Sequence, residues 1–300
     1  MDRIALMIIG AQKAGTTSLG HYLGEHPALV ESHLMEFTWF TDPVAREAPI
    51  EAFMERFYPA TGVSDGSPIA KLSNLYMFDD AIARLREHNP RCQVVMVVRD
   101  PVIRAYSAYT MACSDGWTQH RPDFFRDLLG KAPDDELHRL FLGYGHYAER
   151  LAAVRKVFPP DQVHVFRFED LERDPQGVCD PLFKALDLTP WVLRSKEQVH
   201  NPTRMSRSAR VATWMHWLRR EENPLKRMVR GIMPYTTYQR MALGLQGLNR
   251  SGRRFPPMDP STERLLSAYY LERDLELQRV TGLDLSSWTS IRSAAAGAGT

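Results

Sequence analysis

Cysteine, long apolar runs and net charge are all scarce in this chain of 300 residues. Its three cysteines, Cys92, Cys113 and Cys179, share no C-x-x-C spacing, which argues against a disulfide framework or a zinc site and favours a reducing, cytoplasmic compartment. No apolar run approaches the roughly 18 residues that a membrane-spanning helix requires. The apolar run after Arg3 ends in Gly10 and not at a small-residue cleavage site, so we expect a buried strand there, not a signal peptide.

Positive charge is concentrated in one part of the chain. The formal net charge is only +2, yet residues 203–254 contain twelve Arg or Lys residues and two acids. Apolar residues recur there at helical spacing, which predicts a basic helical insert over 203–250. Three interpretations stay open: a solvated basic face, an acceptor lid that recruits an anionic ligand, or contact with a membrane surface. Nucleic-acid binding is not expected, because the whole chain is nearly neutral and carries no recognised module.

Strand-like and helix-like segments alternate along the chain. This alternation predicts an α/β fold with a single, mostly parallel sheet flanked by helices. We expect one domain over residues 1–290, and a disordered tail over 291–300 because its residues are small or polar. Nothing in the sequence indicates the oligomeric state. The predicted strands cover 4–9, 92–98 and 162–168, and the predicted helices cover 16–25, 101 to about 111, 137–158, 182–186 and 261–282.

The segment from Gly10 to Thr17 (GAQKAGTT) has the pattern of an anion-binding loop. A buried strand leads into it and a helix follows, and the N-terminus of a helix attracts phosphate or sulfate. In a nucleoside-triphosphate loop the lysine follows the second glycine, whereas here Lys13 precedes Gly15. This spacing disfavours a kinase that uses ATP and magnesium, although Asp100 could imitate the magnesium ligand of such an enzyme.

A second anion site is predicted after the strand at 92–98. Arg99 leaves the carboxyl end of that strand, and this is the edge of an open α/β sheet where ligands bind. Ser107 lies about two helical turns further on, near enough to share one anion with the guanidinium. The alternative is an ion pair of Arg99 with Asp100 or Glu169. Two separate anion sites suit a ligand with two separate phosphates better than a triphosphate.

Residues 10–17, 98–109 and 251–254 resemble the binding elements for 3′-phosphoadenosine 5′-phosphosulfate (PAPS) in sulfotransferases. The likeness is greatest to the heparan-sulfate and bacterial carbohydrate branch, and it covers most of 4–190 and 250–288. It implies a P-loop-like sulfotransferase fold and transfer of the sulfuryl group from PAPS to a hydroxyl or amine of a carbohydrate or small natural product, with release of PAP. We expect a metal-free reaction, because no His, Cys and Asp residues have metal-ligand spacing and a sulfate monoester carries less charge than a triphosphate. The implied donor-binding residues are Gly10, Gln12, Lys13, Ala14, Gly15, Thr16 and Thr17 at the 5′ side, Arg99 and Ser107 at the 3′-phosphate, and Gly252 and Arg253 in a loop over the nucleotide.

The resemblance also implies the catalytic residues. It identifies Glu36 as the base, in a stretch where neighbouring aromatic residues would partly desolvate a carboxylate. The sequence departs from the family here, since Met35 and Thr38 stand where relatives usually have lysine and histidine. His33 is therefore a rival base. Lys71 matches the family's second lysine near the transferred group. The alternative for Glu36 is an ordinary surface glutamate, and the alternative for Lys71 is an ordinary solvated lysine.

Overall fold

A computed structural model gives the structure of residues 3–32, 36–58, 66–195, 204–206, 208, 211 and 250–297. The chain forms two compact units. The first comprises Met1–Arg104, Leu142–Val199 and Ser267–Thr300, and the second comprises Ala105–Phe141 and His200–Leu266. The sequence predicts one domain with an insert over 203–250, whereas the second unit also takes in 105–141. In the described ranges, no helix has the length and apolar character needed to cross a bilayer.

The first unit is built on a five-stranded parallel sheet in the order β2-β3-β1-β4-β5. The central strand β1 is buried along its whole length, and its neighbour β4 is buried except at Gln93. Continuous apolar runs are typical of parallel strands that are covered on both faces, so the predicted α/β fold is confirmed. The strands are β1 (Leu6–Gly10), β2 (Leu29–Glu31), β3 (Ser67–Lys71), β4 (Gln93–Val98) and β5 (Val163–Arg167).

Helices follow the strands along the chain. Aspartate side chains cap the start of several of them; for example, Asp100 accepts a hydrogen bond from the N–H of Val102, and Asp174 accepts one from the N–H of Gly177. The helices are α1 (Thr16–Gly24), α2 (Ile50–Phe57), α3 (Asp79–His88), α4 (Pro101–Ser114), α5 (Phe124–Leu129), α6 (Glu136–Phe141), α7 (Tyr147–Val157), α8 (Phe168–Arg173), α9 (Pro175–Ala185), α10 (Pro260–Thr281) and α11 (Thr289–Gly297).

The single helix predicted over 137–158 is wrong. The structure has two helices there, α6 and α7, with a 3₁₀ turn at Gly143–Gly145 between them. Two glycines within three residues weaken the helical conformation. The turn is also held from outside, because the Tyr76 hydroxyl donates a hydrogen bond of 2.6 Å to the carbonyl of Tyr144.

The C-terminus also differs from the expected disordered tail, because Thr289–Gly297 forms α11. Its first two residues are anchored in the core: the Thr289 hydroxyl donates to Asp100 at 2.6 Å, and the Ser290 hydroxyl donates to Asp274. Three consecutive alanines in this segment favour the helix. Buried anchors therefore order a segment that looks weakly structured by composition.

The second unit has an aromatic core of its own. The ring of Tyr109 stacks on that of Phe124 at 4.2 Å between centroids, and Phe141 packs edge-on against Phe124 at 5.1 Å. Two short strands, β6 (Arg204–Ser206) and β7 (Arg250–Arg254), pair antiparallel in this unit. Most of the predicted basic insert at 203–250 lies outside the described residues.

Candidate active site

The predicted anion loop connects β1 to α1, as the sequence pattern indicates. Gly15, the residue before the helix, has φ +78°, and a Cβ at this position would lie 2.9 Å from the ring of Phe168. Lys13 has φ +72°, which for a residue with a Cβ is a strained conformation often found at binding sites. The first turn of α1 has no side-chain cap and no acidic residue. The positive end of the helix is therefore not neutralised by a cap or by an acid of its first turn, which suits the binding of an anion.

The remaining loop residues of the prediction line the same turn. Ala14 is fully buried and its N–H donates to the carbonyl of Ala11 at 3.1 Å, which closes the turn. Thr16 is 6 % exposed. The Oε1 atom of Gln12 is buried and accepts no hydrogen bond from the described part of the chain. Gly10 approaches Tyr76 so closely that a Cβ would lie 2.4 Å from the tyrosine ring, so the start of the loop requires glycine.

Lys71 joins this loop to a carboxylate. It is the last residue of β3, which pairs with β1 so that Lys71 lies opposite Ile8. Its Nζ atom donates a hydrogen bond of 2.9 Å to the hydroxyl of Thr17 and lies 3.9 Å from Oε1 of Glu36. Burial lowers the pKa of Lys71, against the opposing effect of Glu36 and Glu31. The structure thus brings Thr17, Lys71 and Glu36 together at the carboxyl edge of the sheet.

Glu36 has the environment expected of a general base. Ser73 donates two hydrogen bonds to it, from its N–H to Oε2 at 2.7 Å and from its hydroxyl to Oε1 at 3.1 Å. Burial raises the pKa of Glu36 above its usual value, and Lys71 and Ser73 oppose that rise. The side chain is 33 % exposed, so a substrate can reach it. A carboxylate with a raised pKa is a stronger base than an ordinary one, which suits it to removing a proton from a substrate.

Arg99, at the end of β4, also contacts the loop. Its guanidinium donates a hydrogen bond of 2.9 Å to the carbonyl of Lys13 and stacks over Phe168, with Cζ 4.5 Å from the ring centroid. Burial lowers the pKa of Arg99, and nearby acidic groups such as Glu172 oppose the decrease. In the described part of the chain this guanidinium holds the loop backbone, while Asp100 and Glu169, the two acids considered as ion-pair partners, oppose the decrease of its pKa.

Asp100 has a structural role that accounts for its acceptor atoms. Its Oδ1 atom accepts the N–H of Val102 at 2.9 Å, and its Oδ2 atom accepts the N–H and the hydroxyl of Thr289 at 2.7 and 2.6 Å. The residue is 6 % exposed. It caps α4 and anchors α11, which leaves little access for the magnesium ion that the kinase alternative requires.

Four predicted residues lie outside the described residues or in the second unit. His33 lies outside the described residues. Ser107 is in α4 and belongs to the second unit, so its pairing with Arg99 stays a prediction. Gly252 and Arg253 lie in β7, which pairs with β6 in the second unit.

Two residues of the site are missing from the sequence prediction. Ser73 holds Glu36 from 37 positions away in the chain. Phe168 packs under both Gly15 and Arg99, and its only signal in the sequence is its place at the end of a predicted strand. Neither contact follows from local spacing, because each depends on which strands are neighbours in the sheet.

Comparisons with known proteins identify the family of the chain. The family model described as sulfotransferase domain matches residues 3–206. The human bifunctional heparan sulfate N-deacetylase/N-sulfotransferase 3 is 25 % identical over 96 % of this chain and 31 % of its own length. The mouse bifunctional heparan sulfate N-deacetylase/N-sulfotransferase 4 is 26 % identical over 94 % of this chain and 30 % of its own length. The chain thus spans about a third of the length of these curated relatives.

A solved structure supports the fold. The crystal structure of a sulfotransferase from Alicyclobacillus acidocaldarius has a TM-score of 0.65 with this chain, at 20 % identity, over 96 % of this chain and 99 % of that one. At this identity the likeness concerns the fold alone. The family match covers more than half of the chain, including the anion loop, Glu36, Lys71 and Arg99. The chain is a transferase that belongs to the sulfotransferase domain family.

Proposed function

We propose that this chain transfers the sulfuryl group of PAPS to a hydroxyl or amine of a carbohydrate or small natural product and releases PAP. The observation that carries the proposal is the chain of contacts from Thr17 through Lys71 to Glu36. It joins an anion-binding loop to an accessible carboxylate, and a transfer reaction needs both: a site for the donor and a base for the acceptor.

The donor site is proposed on the loop and on Arg99. The loop backbone, Lys13 and Thr17 would hold the 5′-phosphosulfate at the start of α1, where the uncapped helix end and the two close-packed glycines suit an anion. Arg99 and Ser107 would hold the 3′-phosphate, since a guanidinium binds phosphate in bidentate geometry. The backbone around Gly252 and Arg253 would close over the nucleotide, as the family resemblance implies.

The residues then have distinct roles in the reaction. Glu36 takes the proton of the acceptor while the acceptor atom forms a bond to sulfur. The bond between sulfur and the 5′-phosphate oxygen breaks, and its electron pair stays on that oxygen. Lys13 stabilises the charge that develops on this leaving oxygen, as a cation does in phosphoryl transfer. Lys71, next to both Thr17 and Glu36, stabilises the transferred group. We propose that the reaction is metal-free, because these cations supply the positive charge. His33 stays the alternative base.

An anionic polysaccharide is the first acceptor class to test. The curated relatives are named for heparan sulfate N-sulfation, and residues 203–254 are strongly basic, which suits an anionic acceptor. A membrane-associated acceptor is the second class.

Cytoplasmic location remains part of the proposal, supported by three buried free cysteines. A panel of N-unsubstituted and hydroxyl-only glycans with labelled PAPS distinguishes transfer to nitrogen from transfer to oxygen.

Two measurements test the proposal. In a thermal shift assay PAP at 100 times its Kd should stabilise the protein by about 2.7 kcal/mol, whereas stabilisation by ATP with Mg²⁺ and not by PAP would refute PAPS as the donor. In the second, Glu36→Gln should lose sulfuryl transfer while it keeps PAP binding, because the amide cannot accept the proton. Full activity of this variant would remove Glu36 as the base and leave His33.

A further inference from the structure

Ser73 makes two hydrogen bonds to a single carboxylate. Its N–H donates to Oε2 of Glu36 at 2.7 Å, and its hydroxyl donates to Oε1 at 3.1 Å. One donor on each oxygen fixes the plane of the carboxylate as well as its position, as two parallel hydrogen bonds do in other bidentate pairs. The side chain of Glu36 is therefore oriented by Ser73 and not only by its own backbone.

The segment that carries Ser73 is itself held on both sides. The N–H of Leu72 donates to the carbonyl of Ile8 in β1 at 3.0 Å, and the carbonyl of Lys71 accepts the N–H of Phe37 at 2.7 Å. The first contact ties the segment to the strand that leads into the anion loop. The second ties it to the residue that follows Glu36. Three consecutive residues thus place both the backbone and the carboxylate of Glu36 relative to the loop.

We propose that Ser73 is a positioning residue that aims the Glu36 carboxylate at the acceptor and sets the pH range in which it works. A carboxylate has about four lone-pair positions, and Ser73 takes two of them. The ammonium of Lys71 faces Oε1 from 3.9 Å. The lone pairs that are left open on Glu36 receive the acceptor proton. This inference rests on the proposed function of Glu36 as the base.

The electrostatics give the inference a measurable sign. Burial raises the pKa of Glu36, while Lys71 and both hydrogen bonds from Ser73 lower it. Removing the hydroxyl of Ser73 therefore raises this pKa further. Glu36 must be ionised to accept a proton, so the acid limb of kcat/KM moves to higher pH when its pKa rises.

The test compares pH profiles of kcat/KM for the wild type and for Ser73→Ala. The acid limb should move up by about one pH unit, because a hydrogen bond to an ionised group is worth about that shift. Ser73→Thr keeps a hydroxyl and should bring the limb back. The matched control is Asn74→Ala, at the next position, since the Asn74 amide donates to the Tyr144 hydroxyl at 3.2 Å and not to Glu36. A limb that moves equally in Asn74→Ala would overturn the inference.

A second readout does not depend on turnover. Carboxyl carbons of ¹³C-labelled glutamate are titrated by NMR, and the Glu36 signal is assigned by its loss in Glu36→Gln. Ser73→Ala should raise the pKa of this signal in the same way. An unchanged titration refutes the role of Ser73. A raised pKa with an unmoved acid limb supports the contact with Ser73 and refutes Glu36 as the base, so failure of the inference and failure of the proposed function are separate results.

Discussion

Replacing Gly15 by alanine should disturb the anion loop in two separable ways. Gly15 has φ +78°, and the left-handed conformation costs a residue with a Cβ about 1–2 kcal/mol. The new Cβ would also lie 2.9 Å from Cδ2 and Cε2 of Phe168, and overpacking of this kind costs about 1–3 kcal/mol. We therefore expect Gly15→Ala to lower the free energy of unfolding by about 2–5 kcal/mol. We also expect it to weaken PAP binding, because Phe168 supports Arg99.

Gly282 provides a matched control in the same unit. It has φ +71°, yet a Cβ there meets nothing within 4 Å. Gly282→Ala should lower the free energy of unfolding only by the conformational cost of about 1–2 kcal/mol and should leave the affinity for PAP unchanged. Urea unfolding of both variants gives the two free energies, and calorimetric titration with PAP gives the affinities. Equal losses of stability in the two variants would refute the argument that Phe168 crowds the loop.

Two further predictions concern charge. Arg99→Lys keeps the positive charge but loses the planar fork and the stacking on Phe168. The affinity for PAP should fall about tenfold, and the affinity for AMP, which lacks the 3′-phosphate, should fall less, because only the contact with the Lys13 carbonyl is affected. Equal losses in calorimetry would contradict the role at the 3′-phosphate. Burial raises the pKa of Asp274 to about 8, despite the hydrogen bond from Ser290. Its protonated form therefore adds to the free energy of unfolding. This contribution is fully present below the unfolded pKa of about 4 and is lost as the pH rises toward 8. Asp274→Asn should reduce the difference in unfolding free energy between pH 5 and pH 8, and an unchanged difference in urea unfolding would contradict it.

The parts of the site that follow from local sequence could be predicted. The loop from Gly10 to Thr17 lies between a buried strand and a helix start, and each of these has its own pattern in the sequence. Lys71 is a different case: it was predicted from the family resemblance, because the sequence analysis does not predict the strand β3 that it ends. The loop and Arg99, by contrast, directly follow predicted buried strands, and the strand ends of a parallel sheet meet at one edge. For these residues the sequence contains both the chemistry and the approximate place.

The other parts depend on contacts between distant segments. Ser73 has no pattern that connects it with Glu36, because the contact exists only once β3 lies beside β1. The helix α11 was missed because its anchor, Asp100, is 189 positions away from Thr289. In both cases a short polar residue donates hydrogen bonds to a carboxylate that is distant in the sequence, and the sequence around that residue gives no sign of the contact.

The anchoring of Thr289 by Asp100 has a consequence for the order in which the protein is made. A further 189 residues must be synthesised after Asp100 before the N–H and hydroxyl of Thr289 exist. At about 5–20 residues per second this takes on the order of 10–40 s. During that time the Asp100 carboxylate, just after β4, has only part of its final set of hydrogen-bond donors. The hydrogen bonds at the edge of the sheet that holds the proposed donor site are therefore completed only after nearly the whole chain has been synthesised.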